Sequence, residues 1–196
     1  LFIDIGTNGE IVIGNQQWLA CAACSAGPAF EGGGIRFGMR ATSGAIEEAS
    51  INPETYEPML LTIGMVKPKG ICGSGLINLL AALMDAGIVG PNGKFRDDLP
   101  TPRIRSGDSG IEYVLAWASE TESGQDLTLS EVDIDNLMRA KGAMFAGYLT
   151  LLESVGLKLQ DLEQVILAGA FGSFINIDNA VAIGLLPDLP REKYQF

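Results

Sequence analysis

Leu1-Phe2-Ile3-Asp4-Ile5-Gly6-Thr7-Asn8-Gly9-Glu10 opens the chain and decides how the rest is read. Apolar residues lead into a lone aspartate; a Gly-Thr-Asn-Gly turn follows, and then the β-rich run Ile11-Val12-Ile13. Asn8-Gly9 between two such runs predicts a hairpin with a type I′ turn, whose central residues need positive φ. Such a tip aims backbone N–H groups outward, where they can hold an anion. Asp4, at the end of the incoming strand, is suited to orient a hydrated Mg²⁺ against that anion. Taken alone, the stretch reads first as an ordinary surface hairpin with an acidic residue.

Composition narrows the classes. At 196 residues the chain suits one domain or two small lobes and can bury a sizeable core. A formal charge of −11 argues against nucleic acid as a partner, because phosphates demand basic surface. The absence of long apolar runs and of a charged, apolar leader argues against membrane spans and secretion. Three cysteines fit a reducing cytoplasm better than a disulfide scaffold. Cys21 and Cys24 form C-x-x-C, but they fall on an expected strand where they point to opposite faces. No histidine is present to complete a zinc site, so all three are expected as core thiols. The same absence excludes Ser-His-Asp and Cys-His catalysis.

A second glycine-rich strand exit lies near the other end, where Gly169-Ala170-Phe171-Gly172 follows the apolar run Gln164-Val165-Ile166-Leu167-Ala168. Two such exits far apart in sequence are expected where two loops converge on one ligand. Asp-Ile-Gly-Thr with Leu-Ala-Gly-Ala-Phe-Gly resembles the second phosphate motif and the adenosine motif of the ASKHA superfamily of actin, sugar kinases and heat-shock ATPases. Four stretches, in order, are more specific: Asp4–Glu10, Ala23-Cys24-Ser25-Ala26-Gly27-Pro28-Ala29-Phe30-Glu31-Gly32, Gly70-Ile71-Cys72-Gly73-Ser74-Gly75-Leu76-Ile77 and Ala168–Phe174. Together they resemble the C-terminal domain of reductive activators of corrinoid proteins, including those of the methylamine methyltransferase systems.

The resemblance implies an α/β fold: an actin-like, ribonuclease H-like ASKHA lobe with a mixed sheet and flanking helices, plus an inserted α+β subdomain. The core would span roughly 1–38 and 130–190, and the insertion roughly 39–129. Only one Asp-x-Gly-Thr motif is found, and the chain begins inside an expected strand without Met, so it is expected to be the second lobe of a longer protein. In that reading Asp4 holds Mg²⁺ through water and is the catalytic residue, Gly6, Thr7, Asn8 and Gly9 take phosphate oxygens, and Gly169, Ala170, Phe171 and Gly172 line the nucleoside. Arg139-Ala140-Lys141-Gly142-Ala143 resembles the family's helix beside the nucleoside, which would bring Lys141 to ribose or adenine; a solvated surface lysine is the other reading. The implied cofactors are ATP and Mg²⁺, with a ferredoxin-like [2Fe–2S] cluster outside this chain. The implied partners are a corrinoid protein and the missing first lobe, with a homodimer open. The implied activity is ATP-dependent reduction of Co(II) to Co(I), with the isolated lobe inactive. A small-molecule kinase of the same superfamily and a docking module without hydrolysis are the alternatives.

The remaining pattern supports an α/β lobe. Strands are expected over Trp18–Cys24, Ala45–Ile51, Met59–Ile63 and Ile111–Trp117, and a brief helical turn over Pro28–Glu31. Leu76, Leu79, Leu80, Leu83 and Met84 make a helical stripe over Ser74–Ala86, ended by Gly87. The Gly70–Gly75 turn before it could seat an anion or could simply allow tight packing. Pro91–Gly110, dense in Pro, Gly and Asp, is expected as a long surface loop. The longest helix should run from Glu131 to Val155, opened by a Ser130–Asp133 box and buried along Leu137, Ala140, Met144, Tyr148, Leu151, Leu152 and Val155. A last helix over Ile177–Gly184 would be capped by Asn176 or Asp178.

Overall fold

The computed structural model describes residues 1–172 and 174–196, and of Ala170 and Phe171 the backbone alone. In chain order its strands and helices begin with β1 (Phe2–Ile5), β2 (Gly9–Gly14), β3 (Leu19–Cys24), β4 (Ala45–Ile51), β5 (Pro58–Thr62), β6 (Gly70–Ile71) and α1 (Gly73–Asp85). They continue with β7 (Ile104–Gly107), β8 (Gly110–Ala116), β9 (Leu127–Ser130), α2 (Glu131–Ser154), β10 (Val165–Ala168), α3 (Gly169–Gly172), α4 (Ile177–Ala182) and β11 (Tyr194–Gln195). The chain divides into two compact units, Leu1–Pro28 with Arg139–Phe196, and Ala29–Met138.

The first unit is built on a mixed sheet in the order β11-β10-β1-β2-β3. β10 runs parallel to β1 and β11, whereas β1, β2 and β3 are antiparallel neighbours. Alternation sends Ile3, Ile5, Ile11, Ile13 and Leu167 into the core, each worth roughly 1.5–3 kcal/mol when fully buried. That face packs on the part of α2 from Arg139 onward, where Ala140, Met144, Tyr148, Leu151 and Leu152 are buried as the stripe requires and Val155 is half-buried; Leu137, in the second unit, is buried as well. Two glycines set the approach. A Cβ at Gly9 would meet Met144 Sδ at 1.9 Å, and one at Gly147 would meet Cys24 Sγ at 2.0 Å.

That contact corrects the expected type I′ turn. Ile5 pairs with Gly9, so the loop consists of Gly6, Thr7 and Asn8, and neither Asn8 nor Gly9 is among the residues with positive φ. Gly9 is a glycine because a helix side chain presses on its Cα, not because a turn demands it. Cys24 and Cys72 are buried as expected, but Cys21 is exposed. Its odd spacing from Cys24 on β3 turns it to the outer face of the sheet.

The second unit holds two three-stranded sheets, β5-β4-β6 and β7-β8-β9. Helix α1 lies so close to β4 that a Cβ at Gly75 would meet Ile46 O at 2.0 Å, and Asn78 Nδ2 donates to Glu47 O at 2.9 Å. Tight packing therefore accounts for the glycine-rich turn before α1. The expected surface loop over Pro91–Gly110 is corrected, because Ile104–Gly107 forms β7 and Phe95 and Arg103 are buried. Arg103 is anchored from within: it donates to Val114 O at 2.8 Å and lies 5.3 Å from the Trp117 ring centroid. The buried Glu112 carboxylate is likewise neutralised, by Arg105 at 3.0 Å and Arg36 at 3.5 Å.

Helix α2 begins with the expected box. Asp133 N donates to Ser130 Oγ at 3.2 Å, and Ser130 N donates to Asp133 Oδ2 at 2.9 Å. Among the described residues no helix is long and apolar enough to cross a membrane.

Gly75→Ala should cost about 1–3 kcal/mol, because a backbone carbonyl cannot swing away as a side chain can. At Gly142, in α2, an added Cβ would meet nothing within 4 Å, so its change to Ala should by contrast gain about 0.5–1 kcal/mol. Urea unfolding of the two variants tests both signs. Burial also pushes the Tyr194 phenol up, to about 12, while its hydroxyl donates to Pro187 O. A raised phenol stabilises fully below its unfolded value of 10.0, and that stabilisation drains away as pH climbs toward about 12. Unfolding midpoints followed across this window should fall less steeply in Tyr194→Phe than in the parent.

Candidate functional site

The parallel pairing of β1 with β10 puts Phe2 beside Ile166, Ile3 beside Leu167 and Asp4 beside Ala168. Parallel neighbours exit a sheet at the same end, so the Gly6-Thr7-Asn8 loop and the Gly169–Gly172 turn emerge next to each other. Asp4 is half-buried on the face opposite Ile3 and Ile5. Its carboxylate reaches across to the next strand exit, where a Cβ on Gly169 would meet Asp4 Oδ1 at 2.5 Å. Gly169 has φ +80°, which begins α3 in a left-handed turn. Gly172 is buried against the end of β10, with 3.2 Å from its ideal Cβ to Leu167 C.

Other expected site residues distribute as follows. Gly6 N donates to Asn8 O at 3.0 Å, so that N–H is used inside the loop. Thr7 and Asn8 are exposed at its tip, whereas Gly9 is buried under α2. Ala170 and Phe171 lie in α3, and their side chains fall outside the described residues. Lys141 is not a solvated lysine: half-buried, its Nζ donates to Ile183 O at 2.8 Å. Ile183 is the C-cap of α4, so this ammonium sits where the helix dipole is negative. Asn176 caps the other end of α4, accepting from Asn179 N at 3.0 Å.

The structure adds Glu10, to which the motif alone gives no role. Glu10 pairs directly with Asp4 across β1 and β2, and residues opposite each other in an antiparallel pair share a face. Two carboxylates so placed repel. An oxygen-seeking divalent cation would relieve them, and hard carboxylate donors with room for retained water suit Mg²⁺. The signal present in the sequence is the spacing, since a three-residue loop sets residue 10 opposite residue 4.

The whole chain, residues 1–196, matches the family described as the C-terminal domain of RACo, the ASKHA domain. The chain belongs to that family. It is 36% identical over 196 residues to the corrinoid activation enzyme RamQ of Eubacterium limosum, covering 96% of this chain and 33% of that protein. It is 27% identical over 216 residues to the Co(II) methylated amine-specific corrinoid protein reductase of Methanosarcina barkeri, covering 100% of this chain and 36% of that protein. A solved structure titled reductive activator for corrinoid,iron-sulfur protein matches with a TM-score of 0.93 and 53% identity, over 98% of this chain and 31% of that one. The chain thus spans about a third of the length of these relatives. The mixed α/β architecture is that of an ASKHA domain.

Gly156 and Gly169 both have positive φ, +72° and +80°, but only Gly169 faces a carboxylate. Either change to Ala should cost about 1–2 kcal/mol for the backbone alone. Gly169→Ala should cost more, and Asp4→Ala should recover part of that excess, which a double-mutant cycle on unfolding free energies measures.

Proposed function

We propose that this chain is the second nucleotide-binding lobe of an ATP-dependent reductive activator, which returns a corrinoid protein from Co(II) to Co(I). The observation that carries the reading is the Asp4 carboxylate lying over Gly169 at two adjacent strand exits, in a chain of the RACo C-terminal family. The names of the relatives in Eubacterium limosum and Methanosarcina barkeri supply the corrinoid protein as the target.

Each residue has a role in this reading. Asp4, with Glu10 beside it, holds the water shell of Mg²⁺. Gly6, Thr7 and Asn8 surround the phosphates, and Gly9 holds that loop against α2. Gly169 and Gly172, lacking side chains, let the nucleoside approach the backbone, with Ala170 and Phe171 between them. Lys141 ties α2 to the end of α4 and so positions the nucleoside wall, a structural duty compatible with a contact to ribose. When bound here, ATP would supply, through its binding and its hydrolysis to ADP and phosphate, the free energy for a reduction that is uphill for ordinary donors. The electron would be supplied by a [2Fe–2S] domain outside this chain. In phosphoryl chemistry positioning and charge neutralisation do most of the work, so a sparse set of groups is sufficient. Closure of the lobes on nucleotide would then bias the complex toward electron transfer.

Asp4→Ala in the full-length protein should abolish ATP-driven Co(I) formation, followed by corrinoid absorbance, while binding of the corrinoid protein stays measurable. Unchanged turnover would defeat the reading, and a phosphorylated small molecule among the products would replace it with a kinase.

A further inference from the structure

The six methionines divide sharply by surroundings. Met144 is 1% exposed, with its sulfur over Gly9, and Met39, Met84 and Met138 are half-buried. Met59 and Met65, both in the second unit, are 74% and 88% exposed. A methionine ordinarily fills irregular gaps in a core, and these two fill none.

The backbone holds both of them in this position. Met59 stands on the outer face of β5 opposite Ser50 of β4, a residue too short to roof a thioether. Met65 lies in the turn after β5 with φ +50°, a left-handed conformation that an L residue keeps only where its surroundings impose it. Here they do so through hydrogen bonds. Met65 N donates to Thr62 O at 2.9 Å, Thr62 Oγ1 to Val66 O at 2.5 Å and Gly44 N to Ile63 O at 2.9 Å. Tyr56, which also has positive φ, gains from it a carbonyl that accepts the hydroxyl of buried Tyr113 at 2.7 Å. Met65 gains no such contact for its side chain. The turn instead fixes a sulfur in water, where its reactive lone pair is what sets methionine apart from other apolar residues.

We infer that Met65 and Met59 form a reversible oxidation site that takes oxygen from a hydroperoxide. The sulfur lone pair attacks one peroxide oxygen, and the O–O bond breaks. Sulfur loses two electrons and keeps that oxygen as a sulfoxide. The hydroperoxide gains the two electrons; its other oxygen takes up the proton and leaves as water or, from an organic hydroperoxide, as an alcohol. A sulfoxide is polar and disrupts a core, so at Met144 it would part α2 from Gly9. At Met59 and Met65 the new oxygen meets solvent and no packing is lost. There it is also open to methionine sulfoxide reductases, which restore the thioether, one enzyme for each epimer. The fold thus offers oxidants two repairable sulfurs and withholds the one on which a helix depends.

The test treats the full-length protein with tert-butyl hydroperoxide, too bulky for a packed core, and counts oxygen on each methionine by peptide mass spectrometry. Met65 and Met59 should each gain an oxygen before Met144 gains any, with the thermal unfolding midpoint unchanged. The two reductases with dithiothreitol should then remove both oxygens. Met65→Leu and Met59→Leu should each delete one early oxygen and leave the other sulfur's rate as it was. Either sulfur reacting no faster than Met144 overturns the inference, because another part of the full-length protein would then cover it. A lowered midpoint once these two sulfurs are oxidised, or sulfoxides that the reductases leave in place, overturns it as well.

Discussion

The pairing of β1 with β10 is the contact on which the candidate site depends. It joins the first strand to one that follows most of the chain, in parallel, with Asp4 level with Ala168. Because both strands run the same way, both glycine-rich exits open at one end of the sheet. Register does the rest. A slip of one residue would turn Asp4 to the face that holds Ile3 and Ile5, burying a carboxylate in the core and emptying the site of its acid.

That register is held from behind by α2. Gly9 accepts the sulfur of Met144, and Gly147 accepts Cys24, so the helix lies against β2 and β3 at distances that no side chain at either glycine would permit. The apolar face of the sheet is thereby committed to packing. Its other face is left for Asp4, Glu10 and the exits, and Phe2 and Ile166 are still 37% exposed there. A firm support under a sparsely furnished surface suits a site whose chemistry is positioning more than proton transfer.

The chain covers about a third of relatives whose names speak of corrinoid activation and corrinoid protein reduction. A lobe that brings one acidic pair and two glycine-rich turns needs further groups to enclose a nucleotide, and the proposed mechanism assigns those to the rest of the protein. The acidic pair gives a physical reason for a cation. Asp4 and Glu10 sit opposite each other on one face, an arrangement that costs stability unless positive charge lies between them.

Local chemistry was legible without any structure. The Ser130–Asp133 box, the stripe on α2, the Asn176 cap and the left-handed Gly87 after α1 all depend on residues within a few positions of one another, and each forms. The two glycine-rich exits were recognisable by their motifs alone. Long-range contacts were not. Short β7 and β9 exist only because β8 lies between them, and Arg103 is buried only because Val114 and Leu115 offer carbonyls. Gly9 looked like a turn residue until Met144 gave it another reason, and Lys141 looked solvated until Ile183 accepted its ammonium. The chain by itself determined the long helices, the strands with a clear apolar pattern and which residue types could meet an anion. Tertiary structure alone decided which of them meet, because burial and pairing join residues that no local pattern connects.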